Sequence, residues 1–264
     1  MYFHSFEPVL PLQQDVKCIW AFEESQADHN RVPVLPDTNV EVIFNCGSPY
    51  AVQLDNGTMA DLPRVFLNGL QKKPIHLRVA GTCQFIAIRL HGWATRLIVD
   101  LPDDPYTLPV TPLTTRWQDF ARTIEYAVRC YGYQEAAAQL QQFVMDGYRP
   151  QQDFLTIRQA GEKLYTTGGQ MRLSELAAES NLSQRQFERR FKHWMGISPK
   201  AYARLIRHEA AREALFHNPD TDLVTLAQEY GYSDQAHFTH EFKRFATQTP
   251  HQYAMHVRAT AWRK

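Results

Sequence analysis

The sequence lacks any apolar run of about 18 residues, so it holds no segment that would cross a bilayer as a helix. Its first ten residues, MYFHSFEPVL, carry no basic stretch followed by an apolar one. No secretory leader is legible there, and the expected location is the cytoplasm, with no membrane partner. Cysteine is scarce: Cys18, Cys46, Cys83 and Cys130 stand singly, none in C-x-x-C spacing or beside a histidine at zinc-finger distance. Such thiols are expected to be reduced and mostly buried. The first half has His4, His29, His76 and His91, too widely spaced for a cupin-type metal centre. No G-x-S-x-G, phosphate-binding loop or dinucleotide fingerprint appears. No catalytic residue, metal or cofactor is therefore nominated, and no enzymatic activity is expected.

Net charge is also missing, since 28 Lys+Arg balance 28 Asp+Glu, but the balance is uneven along the chain. Residues 1–159 hold 13 Lys+Arg against 17 Asp+Glu, a net of −4. Residues 160–264 hold 15 against 11, a net of +4, together with seven of the eleven histidines. Opposite electrostatic characters in the two halves suggest different partners. With 264 residues, 44% of them hydrophobic, two domains with real cores are expected.

The expected fold class is α+β. Residues 1–112 alternate in β-branched and polar residues, as in NVEVIF (39–44), and are punctuated by prolines. YAVQL leads into Asp55-Asn56-Gly57, a hairpin signature, and IHLRV (75–79) and CQFIAIRL (83–90) flank Ala80-Gly81-Thr82 as a second expected hairpin. A small β-rich barrel or sandwich follows from this pattern, with a short helix in WATRLIVD (93–100). Residues 113–150 switch to helical period, with Trp117, Phe120, Ile124 and Val128 and then Ala136, Leu140, Phe143 and Val144, and are expected to be a helical connector. After YRPQQD (148–153), residues 151–264 read as all-α, beginning with Phe154, Ile157, Ala160 and Leu164.

This last region contains a repeat. LAAESNLSQRQFERRFKHWMGISPKAY from Leu176 matches LAQEYGYSDQAHFTHEFKRFATQTPHQY from Leu226. The first helices align at an offset of 50 (Leu176/Leu226, Ala177/Ala227). After the turn the offset is 51 (Phe187/Phe238, Phe191/Phe242, Lys192/Lys243, Pro199/Pro250, Tyr202/Tyr253). Each copy has a short helix, a tight turn and a longer helix, the grammar of a helix-turn-helix unit. Expected caps are Ser174 and Ser183 in the first copy, and Asp222 with Ser233 or Asp234 in the second. Residues 198–216, with Pro199 in the first turn, would be a helix joining the units. At 100° per residue, Phe187, Phe191 and Trp194 share one face of the longer helix and Arg185, Glu188, Arg189 and Lys192 the opposite one. In the second copy Phe238, Phe242 and Phe245 oppose Ala236, Thr239, His240 and Lys243, with Gln235 near the start. A charged helix face is by default a solvated one. Its repetition on a duplicated unit, with residue types that pair with major-groove base edges, favours a reading surface.

With Ala227, Gly231-Tyr232, Phe238-x-x-x-Phe242-Lys243, Pro250 and Tyr253 in place, the C-terminal hundred residues resemble the AraC/XylS family of transcription regulators. Thr247 stands where that pattern has glycine; the first copy keeps Gly196. The resemblance implies two helix-turn-helix units joined by a helix, placing their second helices in adjacent major grooves of double-stranded DNA. It implies base-edge contacts from Arg185, Glu188, Arg189, Gln235, Ala236, Thr239 and His240, where Glu188 accepts from a cytosine amine or orients a neighbouring arginine. Arg190, Lys192 and Lys243 would be phosphate contacts. His240 occupies a position often held by arginine. RNA polymerase as a partner, and a homodimer, are further implications. The stretch VLPDTNVEVIFNCG (34–47) resembles a β-rich N-terminal segment of some members, which implies a sensor or dimerisation domain over residues 1–112, often a cupin-like barrel.

The function expected is therefore a sequence-specific transcriptional regulator, an activator by family habit, responsive to a small-molecule effector through its N-terminal domain. One alternative is an N-terminal domain that serves only protein interaction or dimerisation; another is an enzyme fused to a DNA-binding domain. Trp20, Asn45, Arg78 and Arg89 are strand residues suited to a barrel interior, but they serve equally as packing or surface groups, and the ligand stays unassigned.

Overall fold

A computed structural model describes residues 2–101, 110–148, 150 and 152–261. Prolines 102, 105 and 109 of the N-terminal pattern, and part of the YRPQQD break, lie outside these residues. The strands are β1 (Tyr2–Phe6), β2 (Val16–Val34), β3 (Asn39–Asn45), β4 (Tyr50–Gln53), β5 (Met59–Asp61), β6 (Val65–Asn68), β7 (Ile75–His91) and β8 (Thr111–Pro112). All described pairings are antiparallel, in the order β1-β2-β7-β3-β6-β8, with β4 on β7 and β5 on β4.

Strand β3 shows why this sheet is buried on both sides. Val40, Val42 and Phe44 point into a core shared with helices, while Ile43 points into a second cluster with Phe66, Val79 and Ala87. The period of two sorts adjacent residues to opposite faces. The Asp55-Asn56-Gly57 turn forms as expected between β4 and β5, with Gly57 at φ +84°. The second expected hairpin does not form. Residues 75–91 are one continuous strand, paired along β2 with register shifts in β2 opposite Gly81. Gly81, at φ +110°, brings the backbone against Ser48; a Cβ there would sit 2.5 Å from Ser48 Oγ. A glycine within a strand pattern marks close approach or a bulge as readily as a turn.

Among the described residues ten α-helices lie in part within and mostly after the sheet: α1 (Thr95–Ile98), α2 (Thr115–Tyr131), α3 (Tyr133–Gly147), α4 (Gln152–Thr166), α5 (Leu173–Glu179), α6 (Gln184–Met195), α7 (Pro199–His217), α8 (Leu223–Glu229), α9 (Gln235–Ala246) and α10 (Pro250–Ala261). The segment expected as a connector forms α2 and α3, which lie on the sheet with Trp117 and Phe120 about Phe44 and Phe143 stacked on Phe120 at 3.9 Å. Among the described residues no helix is long and apolar enough to cross a membrane. Of the thiols expected to be mostly buried, Cys83 is buried, Cys18 and Cys46 are half-buried, and Cys130 is exposed on α2.

The repeat extends one helix further than its motifs suggest. At the same offset of 51, Phe154, Ile157, Ala160 and Leu164 of α4 overlie Leu205, His208, Ala211 and Leu215 of α7, and all eight are buried. Each unit is thus an opening helix, a short helix and a long helix: α4-α5-α6 and α7-α8-α9. The first joins the core of the sheet, where Gly161 lets α4 approach Trp93 and Arg96 Nε donates to the His193 carbonyl at 2.7 Å. Asp15 ties that junction, accepting from Trp93 Nε1 at 3.1 Å and from the Tyr148 hydroxyl, with Arg158 at 3.6 Å. The second unit surrounds a cluster of its own, built from Ala211, Leu215, Leu226, Tyr232, Phe238 and Phe242.

Candidate nucleic-acid interface

The long helix of each unit is fixed at both ends by its own sequence. Ser183 and Gln186 close a capping box on α6, and Asp234 Oδ1 accepts from His237 N at 2.7 Å to cap α9. Asp222 caps α8 through Thr225 N at 2.8 Å. The expected Ser174 cap is not used: α5 begins at Leu173, with Arg172 before it and no side-chain cap bond. At the far ends, Gly196 (φ +74°) and Thr247 (φ +62°) both stop their helix in the left-handed region. A β-branched residue in that conformation is strained by about 1 kcal/mol or more. The preceding turns reverse the arrangement, with Asn181 (φ +52°) in the first unit and Gly231 (φ +71°) in the second.

Burying the phenylalanines fixes what faces outward. Phe187 and Phe191 are fully buried, as are Phe238 and Phe242. Opposite them, Arg185, Arg189 and Lys192 are exposed and Glu188 half-buried; Gln235, Ala236, His240 and Lys243 are exposed and Thr239 half-buried. On α9 these residues lie together. Gln235, Ala236, Thr239, His240 and Lys243, with Thr249 from the start of the next helix, line one open hollow of about 560 Å³. Thr249 belongs to this surface although it lies outside the helix whose periodicity defines the face. Glu188 accepts from Gln184 Nε2 at 3.0 Å, so its recorded partner is an amide rather than a neighbouring arginine.

Arg190 sits elsewhere. It falls on the flank of α6 that meets α4 and donates to Asp153 at 3.0 Å. The same position in the second unit is Glu241, and the same position in the opening helix is Arg204. These two form a bidentate pair, with Arg204 Nε on Glu241 Oε2 at 3.0 Å. The docking pair is therefore kept between repeats with its charges exchanged. Next to it, His208 is fully buried between Phe242 and Phe245 (ring centroids 5.0 and 4.9 Å), with neither ring nitrogen hydrogen-bonded among the described residues. Burial, aided by Arg212, pushes its pKa down to about 3, so the imidazole is neutral.

The sheet encloses a second feature, a cavity of about 560 Å³. Alternate residues of the strands line it, among them Trp20, Phe22, Ile43, Phe66 and Phe85, with Asp37, Glu41, Asn68 and Arg89 among its polar groups. Trp20 and Arg89, of the four strand residues nominated from sequence, face this space; Asn45 and Arg78 do not line it. Among the described residues no group of three or more His, Cys, Asp or Glu gathers as a metal site.

Comparison with known proteins finds a family match in each half. Residues 176–256 match a helix-turn-helix domain family, and residues 4–107 match a domain of unknown function (DUF6597). The HTH-type transcriptional regulator MtrA of Neisseria gonorrhoeae is 33% identical over 81 residues, covering 31% of this chain and 27% of MtrA. The regulatory protein PocR of Salmonella typhimurium is 30% identical over 87 residues, covering 33% and 28%. The match thus spans under a third of either relative. Among solved structures, ToxT from Vibrio cholerae aligns over 97% of this chain and 98% of its own, at 11% identity and a TM-score of 0.47. The DNA-binding domain of AdpA in complex with a target DNA aligns over 41% of this chain and 98% of its own, at 21% identity and a TM-score of 0.38. Over residues 176–256 the C-terminal domain is therefore a helix-turn-helix domain of the AraC type, shared with these transcription regulators.

Proposed function

We propose that the protein is a sequence-specific DNA-binding transcription regulator with two helix-turn-helix units, whose helices α6 and α9 enter adjacent major grooves of double-stranded DNA. One observation carries this reading: two repeats, in one register, bury the same aromatic face and leave the same four positions outward (185/236, 188/239, 189/240 and 192/243). In this reading Arg185 and Arg189 grip guanine edges, Gln235 pairs with adenine, and Thr239 and Ala236 lie against thymine methyls. Glu188, bonded to Gln184, fixes the start of α6 beside the arginines, and His240 is a weaker reader in the place of Arg189. Lys192 and Lys243 hold phosphates; Arg190, engaged by Asp153, serves docking of the unit.

The N-terminal sheet is a cupin-like sensor whose cavity accepts a small effector. A drug-sized, mostly apolar space with a few convergent polar groups supports a ligand site over a purely structural interaction module. No catalytic role is assigned.

Binding of the full-length protein to an operator selected from random DNA, measured against scrambled DNA, tests the reading. Arg185→Ala and Arg189→Ala should each lose about 1–3 kcal/mol of operator affinity with little change on scrambled DNA. Equal losses on both DNAs would remove the base-reading role. Lys243→Ala should weaken both together and flatten the salt dependence by about one unit of slope.

A further inference from the structure

The cavity in the sheet has a chemical polarity that selects among effectors. Its body is aromatic: Trp20 meets Phe85 edge-on at 4.8 Å, Phe22 lies 5.8 Å from Phe85, and Phe3 lies 5.8 Å from Trp20. Such a lining offers π faces and few hydrogen bonds, so it favours an apolar body over a sugar.

The polar end is acidic in excess. Arg89 is committed, with Nε at 2.9 Å and Nη2 at 2.8 Å from the same Glu41 Oε1. Trp20 Nε1 adds a third bond to that oxygen at 3.0 Å. Asp37, by contrast, forms no ion pair among the described residues. Its Oδ1 accepts the Asn39 N–H, at 2.8 Å. A further carboxylate stands behind it, Glu209 of α7, which accepts the Thr38 N–H at 3.0 Å. Asp37 therefore has two carboxylates near it, Glu209 and Glu41, and one guanidinium, which Glu41 already holds. Burial, and then the charge of Glu209, push the Asp37 carboxyl up to about 6, as expected for a negative site short of a cation. An incoming anion would meet this excess with Arg89 already spent. An incoming cation would relieve it and would lie against aromatic faces.

We propose that the cavity binds an amphipathic organic cation, with an apolar or aromatic body over Trp20, Phe22 and Phe85 and a protonated amine or quaternary ammonium head against Asp37. This deepens the effector reading above and rests on it. The head would sit one residue from Thr38, whose N–H is held by the helix that joins the two units, so occupancy at Asp37 acts directly on the Glu209 contact.

Calorimetric titration of the full-length protein at neutral pH with tryptamine, tryptophol and indoleacetate tests this, since the three share one ring system and differ in head-group charge. Tryptamine should bind about tenfold or more tighter than tryptophol, and indoleacetate weakest. Asp37→Asn should remove the advantage of the amine and leave tryptophol binding unchanged, the latter reporting an intact cavity. If that variant does not fold, the amine-to-alcohol ratio in the unaltered protein decides alone. Equal affinity for amine and alcohol, or tightest binding of the acid, would overturn the cation assignment while sustaining the cavity as an effector site. Binding of none of the three would overturn both.

Discussion

The first unit, α4 to α6, shares one continuous core with the sheet, whereas the second, α7 to α9, closes around a smaller core of its own. The two began as one pattern and still agree in register, yet their internal ties differ. In the first, the docking pair Asp153–Arg190 is largely exposed, with 63% and 37% of the side chains accessible. In the second, Glu241 is 6% exposed beneath Arg204. In the first, the buried position of the opening helix is Ile157; in the second it is His208. A unit supported by a large neighbour can rely on apolar burial, while a unit with less area to bury carries polar groups that specify how its helices meet.

That contrast can be broken most severely at Glu241. Glu241→Ala strands Arg204 and should destabilise the second unit by about 3 kcal/mol. Hydrogen exchange should rise across α8–α10 with little change in α5 and α6; a uniform rise would show that the second core is not independent.

His208 comes next and depends on pH. Its folded pKa lies below the unfolded value of 6.5, so the unfolded chain binds the extra proton between them. The stability that the neutral imidazole allows is present above about 6.5 and is lost progressively as pH falls toward 3. His208→Ile, copying the first unit, should abolish this loss. Denaturant melts compared at neutral pH and near pH 5 should show about 2 kcal/mol less acid destabilisation than in the parent. Parallel pH profiles would place the acid sensitivity elsewhere.

Thr247→Gly, again copying the first unit, removes strain at a left-handed helix stop. A gain of about 1 kcal/mol in the second unit's unfolding free energy is expected. The smallest effect belongs to Arg190→Ala, within about 0.5 kcal/mol in the same melts, because an exposed pair gains little over its hydration. A loss at Arg190 equal to that at Glu241 would erase the distinction between the units.

Much of the C-terminal architecture was legible because helical period is a local signal. Phe187 and Phe191, then Phe238 and Phe242, announce the buried face, and the offset between them aligns the outward positions without any coordinates. The caps at Ser183, Asp222 and Asp234 are equally local. What escaped was non-local. Arg204 and Glu241 are 37 residues apart and pair across two helices, which no spacing rule reveals. The Ala80-Gly81-Thr82 segment has turn composition, but a single long partner strand, β2, holds both its flanks in line. The cavity is assembled from alternate residues of separate strands, so Trp20 and Arg89 gain a common meaning only when Glu41 is brought between them. The contact of Arg190 with Asp153 is non-local in the same way, since the two are 37 residues apart.

The helix α7 holds Tyr202 and Leu205 in the first core and Ala211 and Leu215 in the second. One rigid rod thus finishes one unit and starts the next. At 19 residues it is about 28 Å long, comparable with a turn of duplex DNA. Under the proposed function, α7 is a gauge: the distance and phase between half-sites are machined into the protein instead of being negotiated on the DNA. A single residue inserted near its middle would rotate α9 by about 100° about the rod while each unit kept its own fold. The operator would then lose its second half-site as a matter of alignment, with every reading side chain still present.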